Sequence, residues 1–197
     1  AVEVVGSWTD ISARKEADDK IAKQADALKK QYAHSERLLL NVLPATIADR
    51  IKGGEETIAE SFPEVSVLFS DIVGFTEMAA RVGAKEVVEI LNDVFGMLDD
   101  LAKQHGIEKI KTIGDCYMVV AGIPDRSPTH AQQIAGFALD MQLTMQQYAE
   151  RSGRDLSLRT GVHTGTVVAG IVGTSKFAYD LWGDVVNIAS RMESTSE

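Results

Sequence analysis

The sequence predicts an α+β fold: a ferredoxin-like βαββαβ core with an antiparallel-rich sheet and helices packed on it, preceded by a long N-terminal dimerisation helix. Three observations predict it. After residue 64, strand-like and helix-like apolar runs follow the order β-α-α-β-β-α-β, which is the split βαβ order with one added short helix. Only Gly114-Asp115, a dipeptide typical of a two-residue hairpin, separates two of these runs. A charged, helix-forming stretch from 13 to about 52 comes first.

The N-terminal stretch predicts a short strand at 1–8 and then a helix that Ser12 could cap. Within this helix, residues recur at alternating spacings of four and three: Ile21, Ala25, Leu28, Tyr32, Ser35, Leu39 and Val42. This heptad spacing favours a parallel coiled coil, although Ala25 and Ser35 would make a weak seam; the alternative is a single amphipathic helix lying on its own domain. Pro44 predicts a break or restart, and Gly53-Gly54 predicts the end of the segment.

The remaining elements follow from hydrophobic periodicity. The helix at 85–104 is predicted to face the core because its apolar residues recur at helical spacing. Strands are predicted at 65–69, 107–113, 116–121, 157–163 and 166–172. The other helices are predicted at 76–80, 130–149 and 185–193.

Composition and charge exclude several function classes. Lys and Arg number 20 against 29 Asp and Glu, so the formal net charge is −9, and the absence of a basic patch disfavours a nucleic-acid binder. No apolar run approaches the roughly 20 residues of a membrane-spanning helix. The single cysteine, Cys116, excludes an internal disulfide framework and favours a reducing compartment, either the cytoplasm or, if the full-length protein is anchored, the cytoplasmic side of a membrane. The chain begins with Ala1 and ends in a polar run at Glu197, so we expect both ends to be cut from a longer protein.

Two aspartates are candidate metal ligands. Asp71 directly follows the strand at 65–69, and Asp115 occupies the tip of the central hairpin. In the split βαβ order these strands are sheet neighbours, so both carboxylates could converge at one sheet edge. Paired carboxylates favour Mg²⁺ or Mn²⁺, whereas Asp in a Gly-Asp turn taken alone is ordinary turn chemistry.

Two further residue pairs have the chemistry of a nucleotide site. Asn187 and Arg191 lie four apart on a helix for which Asp184 is a candidate N-cap, so they share one face. Lys111 donates a hydrogen bond and Asp180 accepts one. A purine lying between them would therefore be recognised as adenine, which presents an acceptor at N1 and a donor at its exocyclic amine, whereas guanine presents a donor and an acceptor in the opposite order. Without context, a surface polar pair is the better explanation of Asn187 and Arg191, and Lys111 and Asp180 would more often be solvated charges.

Three stretches, taken together, resemble the class III nucleotide cyclase catalytic domain. They read FSDIVGFT at 69–76, KTIGD at 111–115 and YDLWGDVVNIASRM at 179–192, and the likeness runs from about 64 to 195. The resemblance implies three parts: the end of an upstream PAS-like sensor domain at 1–12, a coiled-coil transducer helix at 13–54, and the cyclase catalytic domain at 55–197, which ends before the family's final strands.

The resemblance also implies a metal and phosphate site. Asp71 and Asp115, with the backbone carbonyl of Ile72, would hold two divalent cations, Mg²⁺ or Mn²⁺. The turn that begins the next helix would cradle the β- and γ-phosphates through three residues: Gly74, Phe75 and Thr76.

The remaining implied roles concern the nucleoside and the reaction. Lys111 and Asp180 would bind adenine, because guanylate cyclases of this family usually carry Glu and Cys or a similar residue there. Asn187 would orient the ribose, and Arg191 would stabilise the transition-state phosphoryl group. The expected reaction converts ATP into 3′,5′-cyclic AMP and pyrophosphate.

The family pairs the metal aspartates of one subunit with the base, ribose and arginine residues of the other, which implies a homodimer with composite sites regulated by the upstream sensor. Thr166 stands where some relatives place a phosphate-contacting Arg, and the family's phosphate-binding Lys lies beyond the end of the chain. Two other functions stay open: a guanylate cyclase, and a catalytically silent nucleotide-sensing or dimerisation module.

Overall fold

The computed structural model describes residues 12–55, 57–173 and 177–196. The strand predicted at 1–8, and with it nearly all of the PAS-like stretch, lies outside the described residues. The chain divides into two units, Ala1–Leu43 and Pro44–Glu197, and each is described by itself. Across the described residues, every helix is too short or too polar to cross a lipid bilayer.

The first unit contains one long helix, as predicted. This helix, α1, spans Ser12–Leu40. Large heptad residues are exposed along it, with Ile21, Leu28 and Tyr32 each at least 62% exposed. Val42 lies beyond the end of α1, so the helix carries the heptad pattern only as far as Leu39. The coiled coil itself stays a prediction.

A second, short helix follows the predicted break. This helix, α2, spans Ala45–Lys52 with Pro44 at its N-cap position and Gly53 at its C-cap. Proline suits a helix start because it has no N–H to leave unpaired. At the other end the Gly53 N–H donates to the carbonyl of Asp49 at 2.9 Å. The interruption at Pro44 and the end at Gly53-Gly54 are therefore both confirmed.

The second unit is built on a five-stranded sheet in the order β2-β3-β1-β4-β5, in which every pairing is antiparallel. The strands are β1 (Ala59–Ile72), β2 (Glu108–Ile113), β3 (Cys116–Ala121), β4 (Leu158–Val172) and β5 (Ala178–Trp182). Its further helices are α3 (Phe75–Arg81), α4 (Ala84–His105), α5 (His130–Ser152) and α6 (Asp184–Ser194). The predicted α+β class, with its antiparallel sheet and long N-terminal helix, is confirmed.

The main core lies between the sheet and the pair α4 and α5. Buried residues of α4 recur every four positions, which is the apolar stripe of an amphipathic helix: Ile90, Val94, Leu98 and Ala102. They pack with α5 residues such as Phe137 and Met141 and with strand residues such as Leu68 and Tyr117. Burial of each large apolar side chain contributes about 1.5–3 kcal/mol, so this cluster holds the strands in register.

The strand predictions need three corrections. The two strands expected at 157–163 and 166–172 are one strand, β4, because Gly165 pairs with Val65 and does not turn. The first strand begins at Ala59, since a bulge between Phe62 and Val65 carries the pairing past Pro63. Strand β5 was missed because its five residues are short and mixed in polarity.

Candidate active site

The carboxylates of Asp71 and Asp115 lie side by side. Asp71 is the penultimate residue of β1, and Asp115 lies in the β2–β3 turn, where Gly114 has a φ of 64° and Ile113 pairs with Cys116. Because β3 also pairs with β1, the turn comes next to the end of β1. Burial raises the pKa of Asp71 above its ordinary 3.8, and Asp115 raises it further through a hydrogen bond and its like charge.

The pair fits a hard divalent cation. Two adjacent carboxylates repel each other when both are ionised, and a bound cation relieves that repulsion. Among the described residues no group of three or more His, Cys, Asp or Glu side chains is arranged to share a metal. A cation on this pair would therefore take its other ligands from backbone carbonyls, water or substrate oxygens, as Mg²⁺ commonly does.

Two residues that sequence reasoning missed complete this cluster. Arg159 of β4 lies directly across from Asp71 of β1 in the strand register, and its Nη2 is 3.4 Å from Asp71 Oδ2. Its Nε donates to Glu193 Oε1 of α6 at 2.7 Å, and the Glu193 side chain is only 9% exposed. A buried carboxylate needs a paired cation, which explains why Glu193 takes the shorter contact.

Cys116 lies against the same cluster. Burial first, and then the charges of Asp71, Glu193 and Asp115, raise the pKa of its thiol to about 11. The thiol is thus protonated at neutral pH, and its reactivity is low, because the thiolate is the nucleophile.

Lys111 and Asp180 touch each other directly. Strands β2 and β5 stand at opposite ends of the sheet order, yet the Lys111 ammonium donates to Asp180 Oδ2 at 2.5 Å, so the sheet curls strongly. Asp180 Oδ1 also accepts the N–H of Leu181 at 2.9 Å. No gap separates the two charges, and their role in binding a purine stays a prediction. A base would meet donor and acceptor side by side.

Helix α6 presents Asn187 and Arg191 on an exposed face. Val185, Ala189 and Glu193 are buried on its other side. The predicted N-cap at Asp184 is wrong: Gly183 holds that position with a φ of 145°, and Asp184 is the first helical residue. The reason is steric, since a positive φ of this size favours glycine, which has no Cβ.

The close approach of α6 to the sheet depends on glycine in β4. A Cβ at Gly161 would lie 2.0 Å from Glu193 N, and one at Gly165 would lie 2.7 Å from a Val185 methyl carbon. Glycines at i and i+4 in a strand share one face and are a known signal for close backbone approach. That signal was available in the sequence, although it does not say which helix approaches.

The phosphate-loop candidates occupy the start of α3. Gly74 is its N-cap in the left-handed conformation, with a φ of 69°, and Phe75 and Thr76 are the first helical residues. A cavity of about 640 Å³ runs along this turn and is lined by Glu77, Arg81 and Arg154 among others. Thr166 lies elsewhere, opposite the β1 bulge, where its Oγ1 donates to the Pro63 carbonyl at 2.9 Å.

This arrangement of site and fold can be compared with known proteins. A family model described as the adenylate and guanylate cyclase catalytic domain matches residues 57–197. The chain belongs to that family. An adenylate cyclase of Mycobacterium tuberculosis is 49% identical over 175 residues, which are 88% of this chain and 40% of that protein. This cyclase chain therefore spans less than half the length of that curated relative.

Guanylyl cyclase domains are among the solved structures that are similar to this chain. The catalytic core of a rhodopsin-guanylyl cyclase with converted specificity, in complex with ATPαS, is 40% identical with a TM-score of 0.68, covering 71% of this chain and 76% of that one. A dimeric guanylyl cyclase domain of the RhoGC fusion protein from Blastocladiella emersonii is 39% identical with a TM-score of 0.67, covering 72% and 78%. Both nucleotide specificities thus occur among similar proteins.

Proposed function

We propose that the protein is an adenylate cyclase that converts ATP into 3′,5′-cyclic AMP and pyrophosphate. The observation that carries the choice of ATP is the direct contact of Lys111 with Asp180. Family membership supplies the reaction class, and the carboxylate pair Asp71 and Asp115 supplies a fitting metal site.

Lys111 and Asp180 would select adenine through complementary hydrogen bonds. After its bond to Asp180, the Lys111 ammonium keeps two protons, one of which can reach adenine N1. The Asp180 carboxylate keeps free lone pairs that can accept from the exocyclic amine. Guanine would set its O6 and N1–H against the wrong partners, and a mismatch of this kind costs up to about 10⁴-fold in favourable cases.

Asp71 and Asp115, with the Ile72 carbonyl, would hold Mg²⁺ or Mn²⁺. When bound, such cations lower the pKa of the ribose 3′-hydroxyl and neutralise charge on the triphosphate. Asn187 would hold the ribose, so that its 3′-oxygen faces the α-phosphorus. The Arg191 guanidinium would bind phosphoryl oxygens as their charge develops. Backbone N–H groups at Gly74, Phe75 and Thr76 would bind the β- and γ-phosphates.

The active form would be a homodimer with two composite sites, each using the metal aspartates of one protomer and the base and ribose residues of the other. The exposed heptad residues of α1 provide a means of pairing two copies. In this proposal 13–54 is the transducer helix and 55–197 the catalytic domain. A sensor upstream would regulate the enzyme by shifting one helix against the other, because misplacement of the half-sites by about 1 Å can cost about 10²-fold in rate.

The first test is purified protein with ATP or GTP, each with Mg²⁺ or Mn²⁺, and chromatographic detection of the cyclic product. We expect cyclic AMP, and we expect Asp71→Ala to abolish it. The matched control is Asp100→Ala, which removes an exposed carboxylate of α4 that pairs with Lys103. Activity that survives Asp71→Ala overturns the metal assignment. Preferred turnover of GTP identifies a guanylate cyclase, and nucleotide binding without turnover identifies a silent module.

A mixing experiment tests the composite sites. Asp71→Ala and Arg191→Ala chains should each be inactive alone. When mixed, half of the dimers would carry one intact site, so activity should return to about a quarter of the wild-type level. No recovery on mixing, with heterodimers demonstrated, contradicts the shared-site arrangement.

A further inference from the structure

Three charged side chains from β1, β4 and α6 form a continuous chain of ion pairs at the carboxylate site. Arg159 lies in the middle, with Nε at 2.7 Å from Glu193 Oε1 and Nη2 at 3.4 Å from Asp71 Oδ2. The guanidinium is therefore shared unequally, and the shorter of its two hydrogen bonds goes to Glu193. An unconstrained Arg side chain commonly binds a carboxylate in a bidentate manner, through two parallel N–H···O hydrogen bonds.

Glu193 is more deeply buried than either partner. Its backbone N packs against Gly161, so closely that a Cβ there would lie only 2.0 Å away. Its side chain is 9% exposed, whereas those of Arg159 and Asp71 are 30% and 26% exposed. The Arg159 guanidinium, as the more exposed partner, has more room to adjust to Glu193 than the reverse.

The unequal sharing has a consequence for Asp71. A guanidinium that closed fully on Asp71 would occupy the oxygens that a divalent cation needs, and its positive charge would repel that cation. We propose that Glu193 is a positioning residue that draws Arg159 away from Asp71 and so keeps the Asp71 carboxylate available to the metal. The inference rests on the proposed function only in taking Asp71 as a metal ligand.

The proposal predicts opposite signs for two substitutions. In Glu193→Gln the guanidinium loses its charged partner and turns to Asp71, so Mn²⁺ affinity should fall by about ten-fold, as is usual when a residue behind a metal ligand is changed. In Arg159→Gln the competing cation is gone, so Mn²⁺ affinity should rise. In the double variant Glu193→Gln/Arg159→Gln the guanidinium is also absent, so the Mn²⁺ affinity of that variant should be at least as high as that of the wild type.

The measurement is Mn²⁺ binding to the whole chain by electron paramagnetic resonance, without nucleotide, beside thermal unfolding of each variant. Asp71→Asn should abolish the binding and so locate it. The matched control is Arg50→Gln, which breaks an ion pair of similar length, Arg50 Nη2 to Glu55 Oε1 at 2.6 Å, and should leave Mn²⁺ affinity unchanged.

Unchanged affinity in Glu193→Gln, or a double variant as weak as Glu193→Gln, overturns the proposal. If Glu193→Gln fails to fold, Arg159→Gln decides alone: tighter Mn²⁺ binding supports the proposal, and equal or weaker binding overturns it. Because the readout is metal binding, it separates the two claims. A protein that makes no cyclic nucleotide yet shows the predicted signs refutes the proposed function alone, and an active cyclase without them refutes this inference alone.

Discussion

Substitution of Gly161 by alanine tests whether the packing of α6 on β4 controls the site. The added methyl carbon would lie 2.0 Å from Glu193 N and 2.5 Å from the Ala189 carbonyl oxygen, both backbone atoms of α6. Ordinary contact begins near 3.4 Å. The helix must therefore retreat by about 1.4 Å, because neither atom belongs to a side chain that could rotate away.

Two effects of Gly161→Ala should follow. Overpacking of this kind costs about 1–3 kcal/mol, which lowers the melting temperature by roughly 2–4 °C per kcal/mol for a chain of this size. Helix α6 also carries Asn187 and Arg191, so its displacement should lower kcat by about 10²-fold.

The assays are thermal unfolding and the rate of cyclic nucleotide formation. The matched control is Gly96→Ala on α4, where an added Cβ meets nothing within 4 Å. Because alanine favours a helix, that change should stabilise the protein by about 0.5–1 kcal/mol and leave activity unaltered. If Gly161→Ala melts at the wild-type temperature and keeps its activity within a factor of about two, the close approach does not control α6.

Three further outcomes are expected. Tyr179 is 7% exposed, and its hydroxyl has no hydrogen-bond partner among the described residues. Tyr179→Phe should therefore raise the free energy of unfolding, measured in urea, by about 1 kcal/mol. A lower free energy of unfolding would show that the hydroxyl has a partner. The pKa of Asp71 is raised, so the native state binds its proton more tightly than the unfolded state, and stability falls as pH rises from 3.8 through the raised value. Without metal, Asp71→Asn should therefore have a higher melting temperature than the wild type at neutral pH and the same melting temperature below pH 3.8. A lower melting temperature than the wild type at neutral pH contradicts the raised pKa. Leu28→Glu on α1 should weaken the dimer and raise its dissociation constant, measured by analytical ultracentrifugation, whereas Lys23→Glu, off the heptad positions, should not. An unchanged dissociation constant in Leu28→Glu contradicts a coiled-coil seam there.

Local patterns were sufficient for much of the fold. The break at Pro44, the amphipathic stripe of α4 and the Gly114 turn each depend on residues close in sequence, so their periodicity or conformational preference predicts them. Strand β5 and the continuity of β4 were not predictable in this way. Strand β5 is too short and too mixed in polarity to give a periodic signal, and the continuity of β4 depends on its pairing with β1, which lies far away in the sequence.

In the candidate site, too, some contacts can be expected from the sequence and others depend on the tertiary structure. The meeting of Asp71 with Asp115 could be expected from topology, because the hairpin strand β3 neighbours β1. The direct bond between Lys111 and Asp180 could not, because it depends on how far the sheet curls.

The sequence by itself determined the fold class, the order of the elements as far as α5 and the carboxylate pair, since these follow from hydrophobic periodicity and turn chemistry. Only the tertiary structure decided that Arg159 faces Asp71 and that Glu193 holds Arg159. Those contacts join residues 34 and 88 positions apart. Their existence depends on strand register and on the backbone contact at Gly161, and neither is visible in any single stretch of the chain.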